Sequence, residues 1–241
     1  MSDSHLHHDL HLHHHETHFQ GSELLTDIVI GMSDGLTVPF ALAAGLSGAV
    51  SNSHIILTAG IAEIVAGSIA MGLGGYLSGR TEVDHYEAEL KREYEETDLY
   101  PEVEKEEVRK VFADYGLSKN LQNQIADEIS TNKDNWVNFM MRYELGLEKP
   151  DAKRAGKAAF NIGASYIVGG LVPLLPYAIF SNVHEGLLAS CAVTLIALFI
   201  FGYYKSKIIA QNAVKGAFQT LLIGALAAGA AFAIAKFFNS N

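Results

Sequence analysis

Three acidic residues lie where the surrounding sequence is strongly apolar: Asp27, Asp34 and Glu63. A charge at the centre of a bilayer costs about 2.5 to 3.5 kcal/mol on insertion scales, so such residues usually face a polar path or a partner. Apart from Lys236 at the far end of the last span, the predicted spans contain no Lys or Arg, which predicts that these acids are not members of buried ion pairs. Asp27 and Asp34 are two helical turns apart on one face, about 10 Å along the axis. Asp27 is also close enough to a span end to be simply interfacial.

Met71 follows Glu63 by two turns on nearly the same helix face. A lone Met in such a helix is more often filler than ligand. Beside carboxylates, however, its thioether favours a transition metal over Mg²⁺ or Ca²⁺. Unpaired carboxylates in an apolar path also hold protons more strongly, so metal binding there would displace protons. The combination predicts metal/proton exchange.

These residues belong to five apolar stretches, each long enough to cross about 30 Å of hydrocarbon as a helix. The stretches are 24–48, 54–79, 158–180, 186–204 and 216–238. Small residues should let the first two spans meet closely. They are Gly31 and Gly35 in the first span, and Ala62, Ala66, Ala70, Gly74 and Ser78 in the second. The fold class is therefore an all-α membrane protein with five transmembrane helices in a lipid bilayer.

Composition excludes several other classes. The 241 residues carry a net charge of -10, which disfavours nucleic acid as a partner. Cys191 is the one cysteine, so neither an intrachain disulfide nor a tetrathiolate zinc site can form. Most of the 17 Lys and Arg lie between the second and third or the fourth and fifth spans, which predicts a cytosolic N-terminus and insert.

The insert between the second and third spans predicts a cytosolic domain of three helices. The second span continues as helix to about residue 97, roughly 65 Å in all. Two further helices are expected over 101–115 and 135–147. The predicted regions are a His-rich cytosolic tail (1–22), spans one and two (23–80), the acidic insert (81–153) and spans three to five (154–241).

Several of these motifs, in order, resemble the vacuolar iron transporter family over 23–238. They are Asp27-Ile-Val-Ile-Gly-Met-Ser-Asp34-Gly-Leu, Ala62-Glu63, Ser68-Ile-Ala-Met71-Gly, and Met140-Met141-Arg-Tyr-Glu144. The resemblance implies a homodimer that exports Fe²⁺, with Mn²⁺ as a related substrate, from the cytosol in exchange for protons. The implied ion path at the dimer interface passes Asp34, Glu63 and Met71, and Asp27 is added to that path as its first acid.

The resemblance also implies that the insert gathers metal before transport. Its metal ligands would be Glu93, Glu96, Glu104, Glu107, Met140, Met141 and Glu144. The i, i+3 spacing of each Glu pair puts both carboxylates on one helix face, and carboxylate oxygens suit Fe²⁺ and Mn²⁺. No permanently bound cofactor and no enzyme activity are predicted.

Three points remain open from sequence. Gly75 stands where many family members carry an acid, which leaves both a bacterial cytoplasmic membrane and a vacuolar membrane as hosts. The His-rich start is expected to bind metal loosely. The alternative function is a membrane-anchored iron-binding or ferroxidase-like protein without transport, but Glu82 and His85 supply only one of the two Glu-x-x-His pairs that a di-iron bundle needs.

Overall fold

The computed structural model describes residues 22–239, and this part of the chain is helical with no strand. The eight α-helices are α1 (Ser22–Ser47), α2 (Ser53–Leu99), α3 (Pro101–Asp114), α4 (Lys119–Ile129), α5 (Lys133–Phe139), α6 (Arg154–Ile179), α7 (Val183–Ile208) and α8 (Ala213–Asn239). A π-helical segment, Met140–Glu144, follows α5 directly. The all-α prediction is confirmed. The predicted region 1–22, with its His tract, lies outside the described residues except for its last position.

Five of these helices, α1, α2, α6, α7 and α8, are long and apolar enough to cross a membrane. They match the five predicted spans in order. Helix α6 begins at Arg154, earlier than the predicted start of that span at residue 158. The difference matters because it places a guanidinium group at the end of a spanning helix.

Helix α6 lies between α1 and α2, and glycines allow the close approach on both sides. A Cβ on Gly31 or Gly35 of α1 would collide with the backbone of Ile162 or Tyr166 on α6. On α2, a Cβ at Gly79 would come within 2.8 Å of the Ala155 Cα. Helices α7 and α8 pack against each other and complete the bundle around α1 and α6.

The prediction that small residues join the first span to the second is therefore wrong. Gly31 and Gly35 of α1 and the buried glycines of α2 face α6 instead. The predicted ridge of α2 is exposed along its length in the single chain: Ala62, Ala66, Ala70, Gly74 and Ser78. A Cβ added at Gly74 would meet nothing within 4 Å. No other helix of the described chain covers the ridge.

Helix α2 continues far beyond the apolar region, as predicted. Its 47 residues span about 70 Å, more than twice the hydrocarbon thickness. At its start, the Asn52 side chain accepts a hydrogen bond from the His54 amide at 2.9 Å. At its end, Pro101 begins α3 at a first-turn position, where its missing N–H is no loss.

The insert contains one helix more than predicted. Helix α4 was missed, and the expected helix over 135–147 is α5 followed by the π-helical segment. A small apolar core holds the domain together around Val108, Ala126, Trp136 and Met140. Within it, the rings of Phe112 and Phe139 stack at 5.5 Å. The insert therefore has its own core, which fixes α3 and the π-helical segment beside α2.

Candidate metal sites in the insert and between the spans

Three glutamates meet where α2 turns into α3. Carboxylate oxygens of Glu93, Glu96 and Glu104 all lie within 4.8 Å of one another. Glu93 and Glu96 are one turn apart on α2, and the break at Tyr100 brings Glu104 on α3 beside them. We call these three residues the carboxylate cluster. Oxygen ligands at such separations can converge on one divalent ion.

Two members of the carboxylate cluster are buried without sufficient partners. Glu93 is 1% exposed and Glu104 is 4% exposed. The Oε2 atom of each is buried and has no hydrogen-bond partner among the described residues. An unpaired buried acceptor costs about 1 to 3 kcal/mol, and more when it is charged. A bound cation would remove this penalty.

Burial raises the pKa of both carboxyls. The pKa of Glu93 is raised to about 7, by burial first and then by the nearby charges of Glu144 and Glu96. The pKa of Glu104 is also raised to about 7, by burial first and then by Glu107 and Glu93. Both groups are therefore partly protonated near neutral pH. Binding of a divalent ion must release these protons.

Two further predicted ligands border the carboxylate cluster electrostatically. Glu107 is half-buried and acts on both Glu104 and Glu144. The pKa of Glu144 is raised by partial loss of hydration and then by Glu107. Glu107 and Glu144 lie close enough to add negative potential to the cluster. Their carboxylate oxygens are not among those that lie within 4.8 Å of one another.

The two predicted methionine ligands are buried at the start of the π-helical segment. Met140 is fully buried in the insert core beside Val108 and Trp136. Met141 is 1% exposed and lines a pocket of about 480 Å³ with Tyr86 and Arg142. The π-helical turn places these residues and Glu144 on one widened turn, as the hydrogen bond from the Leu145 amide to the Met140 carbonyl shows. Their role as ligands stays a prediction.

Asp27 has an ion-pair partner, so the prediction that the span acids lack one is wrong for this residue. Arg154 Nη1 and Nη2 contact the two carboxylate oxygens of Asp27 at 2.8 and 2.9 Å. The Asn161 side chain donates a third hydrogen bond at 3.1 Å. Because α6 begins at Arg154, its guanidinium reaches the start of α1. The pair neutralises Asp27, which is 1% exposed.

Glu63 is held by a tyrosine instead. The Tyr166 hydroxyl donates a hydrogen bond to Glu63 Oε1, while Glu63 Oε2 is buried and has no partner among the described residues. Asp34 is half-buried and directly precedes Gly35, which lies against the backbone of Tyr166. The structure thus relates Asp34 on α1 and Glu63 on α2 through one residue of α6.

Met71 lines a cleft of about 340 Å³ between α1, α2 and α6. Asp27, Glu82 and Arg154 line the same cleft. It therefore contains a thioether, two carboxylates and a guanidinium that is already paired with one of them. Of the predicted path residues, Met71 and Asp27 share this cleft, whereas Asp34 and Glu63 are related through Tyr166.

Four polar residues at these sites were missed by sequence reasoning: Arg92, Arg154, Asn161 and Tyr166. Arg92 could have been found from its i, i+4 spacing to Glu96. Arg154 was missed because the predicted third span began at residue 158, after Arg154. Nothing in the local sequence pairs Tyr166 with Glu63, because 103 residues separate them.

The chain is similar to known proteins over almost its whole length. The model of the VIT family matches residues 25–236. Vacuolar iron transporter 1 of Arabidopsis thaliana is 52% identical over 93% of this chain and 90% of the relative. Vacuolar iron transporter 1 of Oryza sativa subsp. japonica is 50% identical over 97% of this chain and 91% of the relative.

A fungal protein extends the comparison. Protein CCC1 of Saccharomyces cerevisiae is 38% identical over 88% of this chain and 68% of the relative. The plant relatives are named as transporters and not as enzymes, which confirms the prediction that the chain is not an enzyme. The bacterial membrane left open by Gly75 gains no support from these plant and fungal matches.

Proposed function

Because the chain belongs to the VIT family, we propose that it is a divalent iron transporter that moves Fe²⁺ out of the cytosol in exchange for protons. Mn²⁺ is a second substrate. The observation that carries this proposal is the pair of acids, Asp34 and Glu63, in two apolar helices that both pack against Tyr166 of α6. Glu63 Oε2 is buried and has no partner in the part of the chain that the structure describes, so it can accept a cation or a proton.

The proposed path passes Asp34 and Glu63 and continues into the cleft beside α2 that Met71 lines. Carboxylates supply charge, and the Met71 thioether favours a transition metal over Mg²⁺ or Ca²⁺. Asp27 lies in the same cleft, where its pairing with Arg154 supports a role in holding α1 to α6. In this proposal the insert is cytosolic, because Lys and Arg concentrate on its side of the spans. The host membrane is vacuolar, as the names of the relatives suggest.

The transporter is proposed to act as a homodimer. The exposed ridge of Ala62, Ala66, Ala70 and Gly74 lies on α2 and is interspersed with Glu63 and Met71. Small residues on one ridge allow two helices to approach closely in lipid. A second copy on this ridge would enclose the cleft, so that ions cross between two proteins instead of along lipid.

The carboxylate cluster, together with Glu107, Glu144, Met140 and Met141, is proposed to gather metal before it enters the path. Its support is the convergence of Glu93, Glu96 and Glu104 and the two buried oxygens that have no partner within the described residues. No step of transport depends on a permanently bound cofactor, and the metal is the substrate.

Proteoliposomes loaded with an Fe²⁺-sensitive dye test the transport proposal. We expect Fe²⁺ flux that requires a proton gradient and is abolished in Asp34→Ala and Glu63→Gln. The matched control is Glu185→Gln, an exposed acid at the other end of the bundle, which should keep wild-type flux. Intact Fe²⁺ binding with no flux in the wild type would reject transport and favour the membrane-anchored binding protein.

A second pair of variants tests metal capture by the insert. Replacing Glu104 and Glu107 with Ala should lower flux at scarce Fe²⁺ and leave a residual flux at high Fe²⁺, because the path itself is unchanged. Replacing Glu102 and Glu106, exposed acids on the same helix, removes equal charge away from the cluster and should change little. Wild-type flux at scarce Fe²⁺ in the first variant would contradict the capture role.

A further inference from the structure

Arg92 lies among three carboxylates of its own helix. Its Nη2 atom is 2.7 Å from Glu89 Oε2 and 3.8 Å from Glu93 Oε1, and its Nε atom is 3.4 Å from Glu96 Oε2. Glu93 and Glu96 belong to the carboxylate cluster, whereas Glu89 does not. One guanidinium group is therefore shared between the proposed metal ligands and an acid outside them.

Arg92 supplies positive charge next to the acidic residues of the proposed metal site. It acts on Glu93 and on Glu144, and it opposes the effect of their acidic neighbours. Lys110 acts on Glu144 as well. The contacts to Glu93 and Glu96 are longer than the contact to Glu89, so the guanidinium is held most closely by the acid that is not a proposed ligand.

We propose that Arg92 is a tethered competitor for the capture site: it neutralises Glu93 and Glu96 when no metal is bound and pairs with Glu89 alone when a divalent ion arrives. This inference rests on the proposed capture function of the insert. Glu89 precedes Glu93 by one helical turn, about 6 Å toward the spans. It provides a nearby position to which the guanidinium withdraws.

This movement of the Arg92 guanidinium should cost little free energy. A divalent ion between Glu93, Glu96 and Glu104 repels the guanidinium and removes its attraction to the two nearer ligands. The Arg92 side chain is 50% exposed and is not part of the insert core, so it can change rotamer without disturbing packing. The consequence is a capture site of lowered affinity, because a metal must displace an internal cation and the same cation returns when the metal leaves.

Fe²⁺ binding to the full chain in detergent, measured anaerobically by calorimetry, tests this role. Arg92→Gln should bind Fe²⁺ about three- to tenfold more tightly, a range set by one partly solvated charge near the site. The matched control is Lys91→Gln, which removes the same charge from the adjacent residue. Lys91 pairs only loosely with the exposed Glu95, at 3.8 Å, and should leave the affinity near the wild-type value.

Replacing Glu89, the residue toward which the guanidinium withdraws, should have the opposite effect on Fe²⁺ affinity. Glu89→Gln leaves Arg92 with only the ligands as partners, so Fe²⁺ should bind more weakly than in the wild type, whereas Glu95→Gln should have little effect. In the Arg92→Gln background, Glu89→Gln should change the affinity no more than Glu95→Gln does, because no guanidinium remains to be held. The tighter Fe²⁺ binding expected of Arg92→Gln cannot result from misfolding, so it distinguishes competition by Arg92 from a structural role.

Two outcomes overturn the inference while the capture role survives. In one, Arg92→Gln binds Fe²⁺ no more tightly than Lys91→Gln, although Glu104→Gln weakens binding. In the other, the Glu89→Gln effect persists at full size in the Arg92→Gln background. If Glu104→Gln has no effect on Fe²⁺ binding, the capture role itself is rejected, and this inference with it.

Discussion

The Tyr166 hydroxyl on α6 donates a hydrogen bond to Oε1 of Glu63 on α2. Tyr166 is 2% exposed, and its ring packs against Gly67, one turn beyond Glu63. Its backbone lies against Gly35 of α1, one residue after Asp34. A single residue of α6 thus fixes both helices that bear the proposed path acids. Within residues 22–239, Glu63 Oε2 is left without a hydrogen-bond partner.

Removing the Tyr166 hydroxyl should impair both stability and transport. Tyr166→Phe leaves Glu63 with neither oxygen hydrogen-bonded, a cost of about 1 to 3 kcal/mol. We expect a lower Tm in detergent and reduced Fe²⁺ flux in proteoliposomes. A Tyr166→Phe protein with wild-type flux would show that Glu63 needs no positioning partner.

The glycine beneath the Tyr166 ring offers an independent test of the same packing. A Cβ at Gly67 would lie 2.5 Å from the Tyr166 Cζ atom, so Gly67→Ala should destabilise the protein by about 1 to 3 kcal/mol. The control is Gly156→Ala in α6, where a Cβ meets nothing within 4 Å. There the helix propensity of Ala should stabilise the protein slightly. Equal Tm values for both variants would contradict the packing shown here.

The ion pair between Asp27 and Arg154 should be structural, and a double variant distinguishes this from a transport role. Arg154→Gln leaves Asp27 as an uncompensated buried charge and should lower the free energy of unfolding by about 3 kcal/mol, whereas Asp27→Asn leaves Arg154 paired with Glu23 at 3.2 Å and should cost less. The double variant should recover part of this loss. Measured Fe²⁺ flux near the wild-type value in the double variant would exclude Asp27 as an ion ligand, and lost flux with recovered stability would assign it to the path.

The sequence predicted the parts of the fold that depend on local patterns. Five apolar stretches gave five spanning helices, and the lack of a proline between His54 and Pro101 favoured the long α2. Helix α4 was missed because its sequence is mostly polar and it buries only Ala126. The i, i+3 Glu pairs indicated which helix faces carry the cluster, but the meeting of Glu93 with Glu104 depends on the turn at Tyr100.

Contacts between distant segments could not be predicted in the same way. Asp27 and Arg154 are 127 residues apart, and their pairing depends on α6 lying against α1. The ridge on α2 was recognised from its spacing, but spacing alone does not say which helix it faces. The structure assigns the inner face of α2 to α6 and leaves the ridge exposed.

Metal binding to the carboxylate cluster should strengthen as pH rises through 7. The pKa values of Glu93 and Glu104 are raised to about 7, so both carboxyls are mostly protonated at pH 6 and mostly ionised at pH 8. Fe²⁺ must displace up to about two protons at pH 6 and few at pH 8. Calorimetry of the full chain in buffers of different ionisation enthalpy measures this release. A proton release that does not change between pH 6 and pH 8 would contradict the raised pKa values.

The same shifts predict how pH affects stability without metal. A carboxyl with a raised pKa in the folded state contributes stability below its unfolded pKa of about 4.5, and this contribution is lost as pH rises through about 7. The metal-free insert should therefore unfold more easily at pH 8 than at pH 5.5. Hydrogen exchange of α3 amides, measured in full-length protein, should show this loss and its reversal on adding Mn²⁺. Equal protection at both pH values would contradict the prediction.

The exposed ridge on α2 should be the surface on which two copies meet. Gly74 has open space around it in the single chain, so Gly74→Trp can be accommodated by a monomer but not by two closely packed ridges. Size-exclusion chromatography with light scattering should give a dimer for the wild type and a monomer for Gly74→Trp. The control is Leu222→Trp, an exposed position on α8 away from the ridge, which should remain dimeric.

Transport distinguishes a dimer that forms the path from one that is incidental. Gly74 itself lines the cleft that contains Met71, so flux is compared in Ala66→Trp, an exposed ridge position that does not line this cleft. If the ridge encloses the cleft, the Ala66→Trp monomer should be folded, with a Tm close to that of the wild type, and yet carry little Fe²⁺. The Leu222→Trp dimer should transport normally. Full flux through an Ala66→Trp monomer would show that one chain encloses the whole path, and the dimer would then have no part in conduction.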